Sequence, residues 1–192
     1  IAYSSGQNWV TSNAIIGDAL NWSWQTGNAD ILSNSWGGGS SSSTINNAIS
    51  GAVNNGRSGL GSPVLFAAGN SNGANSYPAT YSPTISVIAM SMCNERKNPN
   101  SCDGETWWGS NYGNGADVAA PGVKIFATDI SGSAGYSGGD YTPSFNGTSS
   151  ACPNAAGVMA LVLSVDPNLT EDQARFALES TCDKTGSYSY GT

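Results

Sequence analysis

The strongest constraint on the fold is an alternation of helical and strand-like segments through the first half of the chain. One helix is predicted from an N-cap at Ser12 to about Gln25, and a second begins at Thr44, with apolar residues at helical spacing in both. Apolar segments typical of strands, 30–36 and 63–68, follow the two helices. Because parallel strands must be joined by long crossovers, this order predicts an α/β fold with a mostly parallel central sheet and helices on both faces.

The second half of the chain continues this architecture. Residues 84–90 are predicted to form a strand, 117–127 a strand, a turn and another strand, and 131–139 a surface loop. A capping box at Thr170 predicts the start of the last helix. The sequence contains no internal repeat and no linker-like segment, so we expect residues 1–192 to belong to one domain.

The charge and composition exclude two classes of partner. The chain of 192 residues has a net charge of −7 with only six Lys and Arg, so it has no basic patch that could neutralise the phosphates of a nucleic acid. We find no apolar run of membrane-spanning length and expect no membrane association. A charged fraction of 10% together with 25 glycines is typical of a loop-rich secreted protein, which predicts an extracellular location.

Residues 145–161 form the segment that carries the chemistry. A polar turn, Asn-Gly-Thr-Ser, opens into an apolar run at helical spacing, which predicts that Ser149 lies at the N-terminus of a buried helix. We place Pro153 in the first turn of that helix, where its missing N–H costs nothing. Free N–H groups and the helix dipole favour negative charge there, so Ser149 is either a helix cap or a nucleophile.

The wider context of Ser149 favours the nucleophile. The run Gly-Thr-Ser, followed by Ala, a small residue, Pro and an apolar helix, resembles the nucleophile motif of the subtilisin-like serine proteases, the subtilases. The resemblance implies a three-layer subtilisin-like fold. It also implies a serine endopeptidase that forms an acyl-enzyme on Ser149, with a polypeptide as substrate. Asp117 lies in a segment that matches a scaffold segment of the family, so we interpret it as structural.

Two further segments match the family in the expected order. Phe-Ala-Ala-Gly-Asn resembles its oxyanion-hole segment, which implies that Asn70 turns its amide towards the developing oxyanion beside the Ser149 N–H. The resemblance also implies that substrate adds as a strand along the segment that begins at Ile31. The residues implied to bind substrate and to form the two walls of the specificity pocket are Ser35, Trp36, Gly37, Ala67, Ala68 and Gly69.

Segments 30–37 and 55–62 resemble the kexin- and furin-like branch of the family. Enzymes of that branch follow the two substrate segments with acidic residues that bind basic side chains. Here the first substrate segment is followed by glycines and a serine, and the second by Ser71 and Asn72. The pocket is therefore expected to take apolar or aromatic side chains, because a buried basic group would lack a counter-charge.

The sequence lacks the base that a serine hydrolase needs. It contains no histidine, and no segment resembles the aspartate motif of the family, since Asp18 and Asp30 lie in other contexts. The matched segments lie beyond the family's histidine, so residues 1–192 are expected to be the C-terminal portion of a single catalytic domain. The catalytic Asp and His would then lie on an N-terminal segment or an associated chain. The alternative is a catalytically dead, subtilase-like module that binds peptides.

Four cysteines occur in the sequence. Cys93 and Cys102 lie close together within a polar loop, which predicts a disulfide between them. Cys152 lies in the apolar helix and is expected to be a buried thiol. Its pairing with Cys182 is left open.

Calcium is the one cofactor that we consider. Subtilases commonly bind it, and the acidic residues around Asp103 and Glu105 are its candidate ligands, although their spacing follows no regular metal-binding loop. Zinc is not expected, because the chain has neither histidine nor Cys-x-x-Cys spacing. No metal ligand is therefore assigned.

Overall fold

The structure, a computed structural model, describes residues 3–5 and 8–185, with the backbone alone at 3–5 and 8–10. The elements of this described region follow one another in a mixed α/β order. In chain order they are β1 (Tyr3–Ser5), β2 (Asn8–Val10), α1 (Asn13–Gln25), β3 (Leu32–Asn34), α2 (Ser43–Gly59), β4 (Val64–Ala67), β5 (Ile85–Met90), β6 (Val118–Pro121), β7 (Ile125–Thr128), β8 (Tyr141–Phe145), α3 (Thr148–Val165) and α4 (Glu171–Thr181).

A four-stranded sheet forms the centre of the described region, in the order β3-β4-β5-β6. Each neighbouring pair of strands is parallel, with Leu32 opposite Val64 at one end of the sheet and Val87 opposite Val118 at the other. Strands β1 and β2, and strands β7 and β8, form two separate antiparallel ribbons. The mostly parallel central sheet predicted from the alternation of segments is confirmed.

Helices pack on both faces of this sheet and complete a three-layer arrangement. Every residue of β4 is buried, as expected for a parallel strand that is covered on both sides. Side chains of the sheet alternate between two apolar clusters. The cluster on the side of α1 and α2 contains Leu20, Leu32, Ile45, Ala48, Ile49, Ala52, Val64, Phe66 and Ala79. The cluster on the side of α3 and α4 contains Leu65, Ala67, Ile85, Val87, Ala89, Val118, Ala120, Ala151, Cys152, Ala155, Met159, Leu163, Ala174 and Leu178.

Helix α2 begins slightly earlier than predicted and ends in a left-handed turn. Its N-cap is Ser42, two residues before the predicted position. Near its end the backbone leaves the helical conformation, and Arg57 has a φ of 50°. The Arg57 guanidinium donates to the carbonyl oxygens of Pro167 and Leu169, at 2.6 and 2.9 Å. The end of α2 is thereby tied to the connection between α3 and α4.

Segment 117–127 contains two strands, as predicted, but the second of them leaves the central sheet. After β6 the chain turns at residues 122–124, where Lys124 has a φ of 50°. Strand β7 then pairs antiparallel with β8, a strand that the sequence analysis did not predict. The polar composition of β8 (Tyr-Thr-Pro-Ser-Phe) provides little apolar signal. This ribbon leads the chain directly into the N-terminus of α3, which the candidate site requires.

Helix α3 is long and apolar enough to cross a membrane by length and composition alone, which corrects the expectation that no segment of this chain reaches that length. Core helices of soluble proteins pass the same test. The face that includes Ala155 and Met159 packs into the cluster against the sheet. The opposite face is exposed, with Val158, Leu161 and Val165 at 49%, 67% and 86%. This helix therefore has one packed apolar face and one uncovered apolar face.

Asp117 ties α4 to the sheet, in agreement with its interpretation as a structural residue. Its carboxylate accepts a hydrogen bond from the Ser86 backbone N–H at 2.7 Å and one from the Arg175 guanidinium at 2.9 Å. Burial raises the pKa of Asp117, and the Ser86 hydrogen bond and the charge of Arg175 oppose that shift. The half-buried ion pair between Asp117 and Arg175 thus helps to hold α4 in position.

Glu171, the first residue of α4, is a buried carboxylate without a hydrogen-bond partner on Oε1 in the described region. Only 4% of the residue is exposed. Burial raises the pKa of Glu171 to about 7, against a partial opposing effect from the charge of Arg175. Because this pKa lies above the ordinary value of 4.5, the native state holds the proton more tightly than the unfolded chain does.

This burial predicts a pH-dependent effect of the substitution Glu171→Gln. Above pH 7 the native parent carries a poorly solvated charge that costs about 3 kcal/mol, and this cost disappears as the pH falls towards 4.5. The variant should therefore have the higher free energy of unfolding at pH 9 and lose that advantage at pH 5. Denaturant unfolding at the two pH values measures the difference. An equal difference at both pH values would contradict the assignment of the raised pKa.

Candidate active site

The candidate site lies where the carboxyl ends of β3 and β4 meet the N-terminus of α3. Ser35 directly follows β3, and its hydroxyl donates to the Ser149 carbonyl oxygen at 2.7 Å. The Ser149 hydroxyl in turn lies 3.4 Å from the Ser35 carbonyl oxygen. Two segments that are 114 residues apart in sequence are thereby held together.

Pro153 explains why Ser35 can bind at this point. Pro153 is predicted in the first turn of the helix, but the helix begins at Thr148 and Pro153 is its sixth residue. In that position its missing N–H removes the hydrogen bond that would reach back to the Ser149 carbonyl. The hydroxyl of Ser35 supplies the missing donor. Pro153 therefore leaves the Ser149 carbonyl free to accept a hydrogen bond from Ser35, the residue that follows β3.

Gly147 gives the turn before α3 its shape. Its φ is +113°, a conformation that favours glycine. A Cβ added there would lie 3.3 Å from Asn70 Nδ2 and 3.5 Å from the Ser149 backbone nitrogen. The two nitrogens thus flank one small space above Gly147. Within the described region neither nitrogen has a hydrogen-bond acceptor, so both donors are free to bind a ligand.

Thr148 fixes the orientation of the Asn70 amide. The Thr148 hydroxyl accepts a hydrogen bond from the Gly69 N–H at 3.1 Å and lies 3.0 Å from Asn70 Oδ1. The Thr148 backbone N–H, which can only donate, points to the same Oδ1 at 2.8 Å. The oxygen of the amide must therefore face Thr148, and its NH2 group must face away.

Asn111 supports the loop that carries Asn70, and the sequence analysis did not identify it. Its Oδ1 accepts from the N–H groups of Ser71 and Gly73, at 2.9 and 3.2 Å. Its Nδ2 donates to the Ala68 carbonyl at 3.0 Å. Asn111 is buried, so its amide replaces the hydrogen bonds that a regular strand would have made. A lone asparagine 41 residues from Asn70 gives no spacing signal that could have revealed this role.

The residues expected to form the pocket walls are exposed to different degrees. Trp36 is partly exposed, and its ring meets Phe66 edge-on with the ring centres 5.0 Å apart. Gly37 follows it directly, and a Cβ there would come within 2.9 Å of the Tyr77 carbonyl oxygen.

Ala67 and Ala68, by contrast, are buried, at 6% and 0% exposure. Gly69 is the partly exposed member of that second wall. Ala67 is buried because β4 is covered on both faces, and Ala68, the residue after β4, is fully buried as well.

The predicted disulfide between Cys93 and Cys102 is present. Cys152 and Cys182 are both free thiols, which answers the question of their pairing. Cys152 is buried behind the candidate site, with its sulfur 3.7 Å from the Ser33 hydroxyl. Burial raises the pKa of the Cys152 thiol, so it is held as the neutral thiol and is not a nucleophile.

The carboxylates considered as calcium ligands are used for other contacts. Asp103 forms a buried ion pair with Lys97 at 2.8 Å. Glu105 accepts hydrogen bonds from Trp108 and Asn146. Among the residues that the structure describes, no group of three or more His, Cys, Asp and Glu is gathered to hold a metal. Both candidate carboxylates are therefore engaged by side chains of the protein itself, and calcium binding at this loop stays a prediction.

Two comparisons with known protein sequences bear on this geometry. A model of the subtilase family matches residues 1–191. A calcium-dependent protease of Nostoc sp. is 36% identical over 194 aligned positions, which cover 87% of this chain and 29% of that protein. An extracellular protease of Xanthomonas campestris is 40% identical over 157 positions, which cover 80% and 24%.

A solved structure supports the same relationship. A protease from Pseudoalteromonas arctica has a TM-score of 0.73 to this chain at 31% identity, with 90% of this chain and 52% of that protein covered. The chain therefore spans between about a quarter and a half of the proteins just described. Other matches are bacterial subtilisins. These matches give no support to the kexin- and furin-like branch suggested by segments 30–37 and 55–62.

Proposed function

This chain belongs to the subtilase family, and we propose on that premise that it carries the nucleophile of a serine endopeptidase. Ser149 would attack the scissile carbonyl and form an acyl-enzyme. The observation that carries the proposal is the pair of free donors beside Ser149, its own N–H and the Asn70 amide, which flank one space above Gly147. A helix cap alone has no need of a second, oriented amide at that place.

The proposed reaction needs a base that this chain lacks. A histidine would remove the proton of the Ser149 hydroxyl while the Ser149 oxygen forms a bond to the carbonyl carbon of the substrate. The C–N bond then breaks, and the same proton passes to the leaving amine. Water cleaves the resulting ester by the same route and restores Ser149. In the tetrahedral intermediate of each step, the negative charge on the former carbonyl oxygen would be bound by the Ser149 N–H and Asn70 Nδ2.

We propose that the chain is the C-terminal portion of a single catalytic domain, and that an N-terminal segment or an associated chain supplies the Asp and His. The outer edge of β3 has no strand partner in the described region. The exposed face of α3, with Leu161 and Val165, lies uncovered. A complementary segment could pair with that edge, whose carboxyl end lies next to Ser149 through Ser35, and another part of it could cover that face.

The alternative function is a catalytically dead module that binds peptides along Ser35, Trp36 and Gly37. The oriented Asn70 amide argues against it, because peptide binding alone does not require a donor aimed at a developing charge. We also propose an extracellular location, since a relative is named an extracellular protease. We keep calcium as a proposed cofactor because two relatives are named calcium-dependent proteases. Asp103 and Glu105 are engaged in other contacts, and we derive no step through calcium.

The first test concerns Asn70. The substitution Asn70→Ala in the protein assembled with its complementary segment should lower kcat about 100- to 1,000-fold, the size known for such a donor in subtilisin itself. KM should change little, because the donor acts mainly on the charged transition state. Steady-state peptide hydrolysis measures both. A changed KM with an unchanged kcat would make Asn70 a substrate contact.

The second test concerns the base. This chain purified alone should show no detectable peptidase activity, because loss of the triad histidine in subtilisin costs about a million-fold in turnover. Addition of the segment that bears Asp and His should restore hydrolysis and labelling of Ser149 by an organophosphorus reagent. Ser149→Ala serves as the control for contaminating protease. Ser149-dependent cleavage by the isolated chain would show that another residue acts as the base.

The third test concerns specificity. With Trp36 exposed at one wall and no acidic side chain following either substrate segment, the pocket should accept apolar or aromatic side chains. A basic side chain buried there would cost several kcal/mol. Cleavage of a peptide library, read by mass spectrometry, reports the preference. Cleavage mainly after Lys or Arg would refute an apolar pocket.

A further inference from the structure

Asn146 holds the turn that leads into Ser149 by two side-chain hydrogen bonds. We define residues 145–149 as the nucleophile turn. The Asn146 Nδ2 donates to Glu105 Oε1 at 2.8 Å, and its Oδ1 accepts from the Lys124 N–H at 2.6 Å. Both ends of the amide are therefore bound. The next residue, Gly147, donates its N–H to the Gly122 carbonyl at 2.9 Å.

Glu105 is built into the protein as an acceptor for this contact. It is 5% exposed, and its two carboxylate oxygens accept from different donors. Oε1 binds Asn146, and Oε2 binds Trp108 Nε1 at 2.7 Å. The backbone N–H of Glu105 donates to Asp103 Oδ1 at 2.8 Å. A buried carboxylate with two such donors fixes the position of both of them.

The loop that carries Glu105 is itself anchored. We define residues 93–108 as the clamp loop, which the Cys93–Cys102 disulfide closes. Lys97 is fully buried, and its ammonium donates to Asp103 Oδ1 at 2.8 Å and to the Glu105 carbonyl oxygen. From outside the loop, the Lys124 ammonium donates to the Asp103 carbonyl at 2.9 Å. The buried ion pair therefore has a purpose beyond stability: it holds the backbone of Glu105 against the nucleophile turn.

We propose that Glu105 is a positioning residue for the reaction at Ser149, acting through Asn146. This inference rests on the proposed function. Asn146 is one peptide bond from Gly147 and three residues from Ser149, whose N–H must lie about 2.7–3.1 Å from the oxyanion. Release of Asn146 would let the turn shift, and a displacement of about 1 Å can cost on the order of 100-fold in rate. Glu105 does not touch the reacting atoms.

A donor–acceptor exchange tests the proposal. In Glu105→Gln one of the two donors, Asn146 or Trp108, loses its acceptor. In Asn146→Asp the acceptor for Lys124 remains, but two carboxylates face each other. In the double variant the new Gln amide donates to the new carboxylate, while its oxygen still accepts from Trp108, so every hydrogen bond is restored. Glu95→Gln is the matched control, because the Glu95 carboxylate lies in the same loop and accepts only from Ser91 and Cys102, away from the nucleophile turn.

The assay uses the protein assembled with its complementary segment. Each single variant should lower kcat about 10- to 100-fold with KM within about twofold. The double variant should recover kcat to within about threefold of the parent, and Glu95→Gln should not differ from it. Single variants with unchanged kcat, or a double variant with the two losses combined, would overturn the proposal. Thermal unfolding of each variant shows whether a loss of kcat reflects loss of folded protein.

Hydrogen–deuterium exchange separates this proposal from the proposed function. Peptides covering the nucleophile turn should exchange faster in the single variants and return to the parent rate in the double variant, while peptides from the middle of α3 stay unchanged. If the parent hydrolyses no peptide, the proposed function fails, and the exchange pattern still decides whether Glu105 positions the turn. Equal exchange in all four proteins would overturn the positioning role, even in an active enzyme.

Discussion

The whole candidate site depends on the hydrogen bonds between Thr148 and the two residues Gly69 and Asn70, which lie just after β4. The Thr148 hydroxyl accepts a hydrogen bond from the Gly69 N–H. Both the hydroxyl and the backbone N–H of Thr148 donate to Asn70 Oδ1. These contacts join residues 78 positions apart in the chain and decide which way the Asn70 amide points. Without them the helix N-terminus would offer only its own N–H groups. The parallel sheet makes the contact feasible, because strand ends of one direction meet at one edge.

Support for this edge comes from three independent directions. Ser35 reaches in from β3 and completes the helix at the carbonyl that Pro153 leaves free. Asn111 holds the loop behind Asn70. Glu105 holds Asn146 from the clamp loop. Each of these side chains replaces a missing backbone hydrogen bond or satisfies a buried donor. Side chains from other segments of the chain therefore stabilise the irregular backbone at the site.

The sequence predicted much of the fold, because α1, α2, α4 and the strands of the central sheet have strong apolar periodicity. It failed for β8, which is polar, and for Pro153, whose position depends on where the helix begins. The candidate site could be located in the sequence from the motifs that contain Ser149 and Asn70. The roles of Asn111 and Glu105 could not be predicted, because they depend on contacts across 35 to 43 residues that no local pattern encodes. The burial of the Ala67 and Ala68 side chains was not predicted either, because a residue within a motif can still face the core.

In the described region the outer edge of β3 has no strand partner, and this bears on how the protein assembles. Leu32–Asn34 contains neither lysine nor proline, the residues with which natural edge strands discourage unwanted pairing. A second copy of this chain could therefore add to the same edge and bury the same apolar face of α3. If a complementary segment pairs with this edge, as we propose, correct assembly is a competition in time. That segment must reach β3 before another copy does, which favours synthesis as one polypeptide over later association of separate chains.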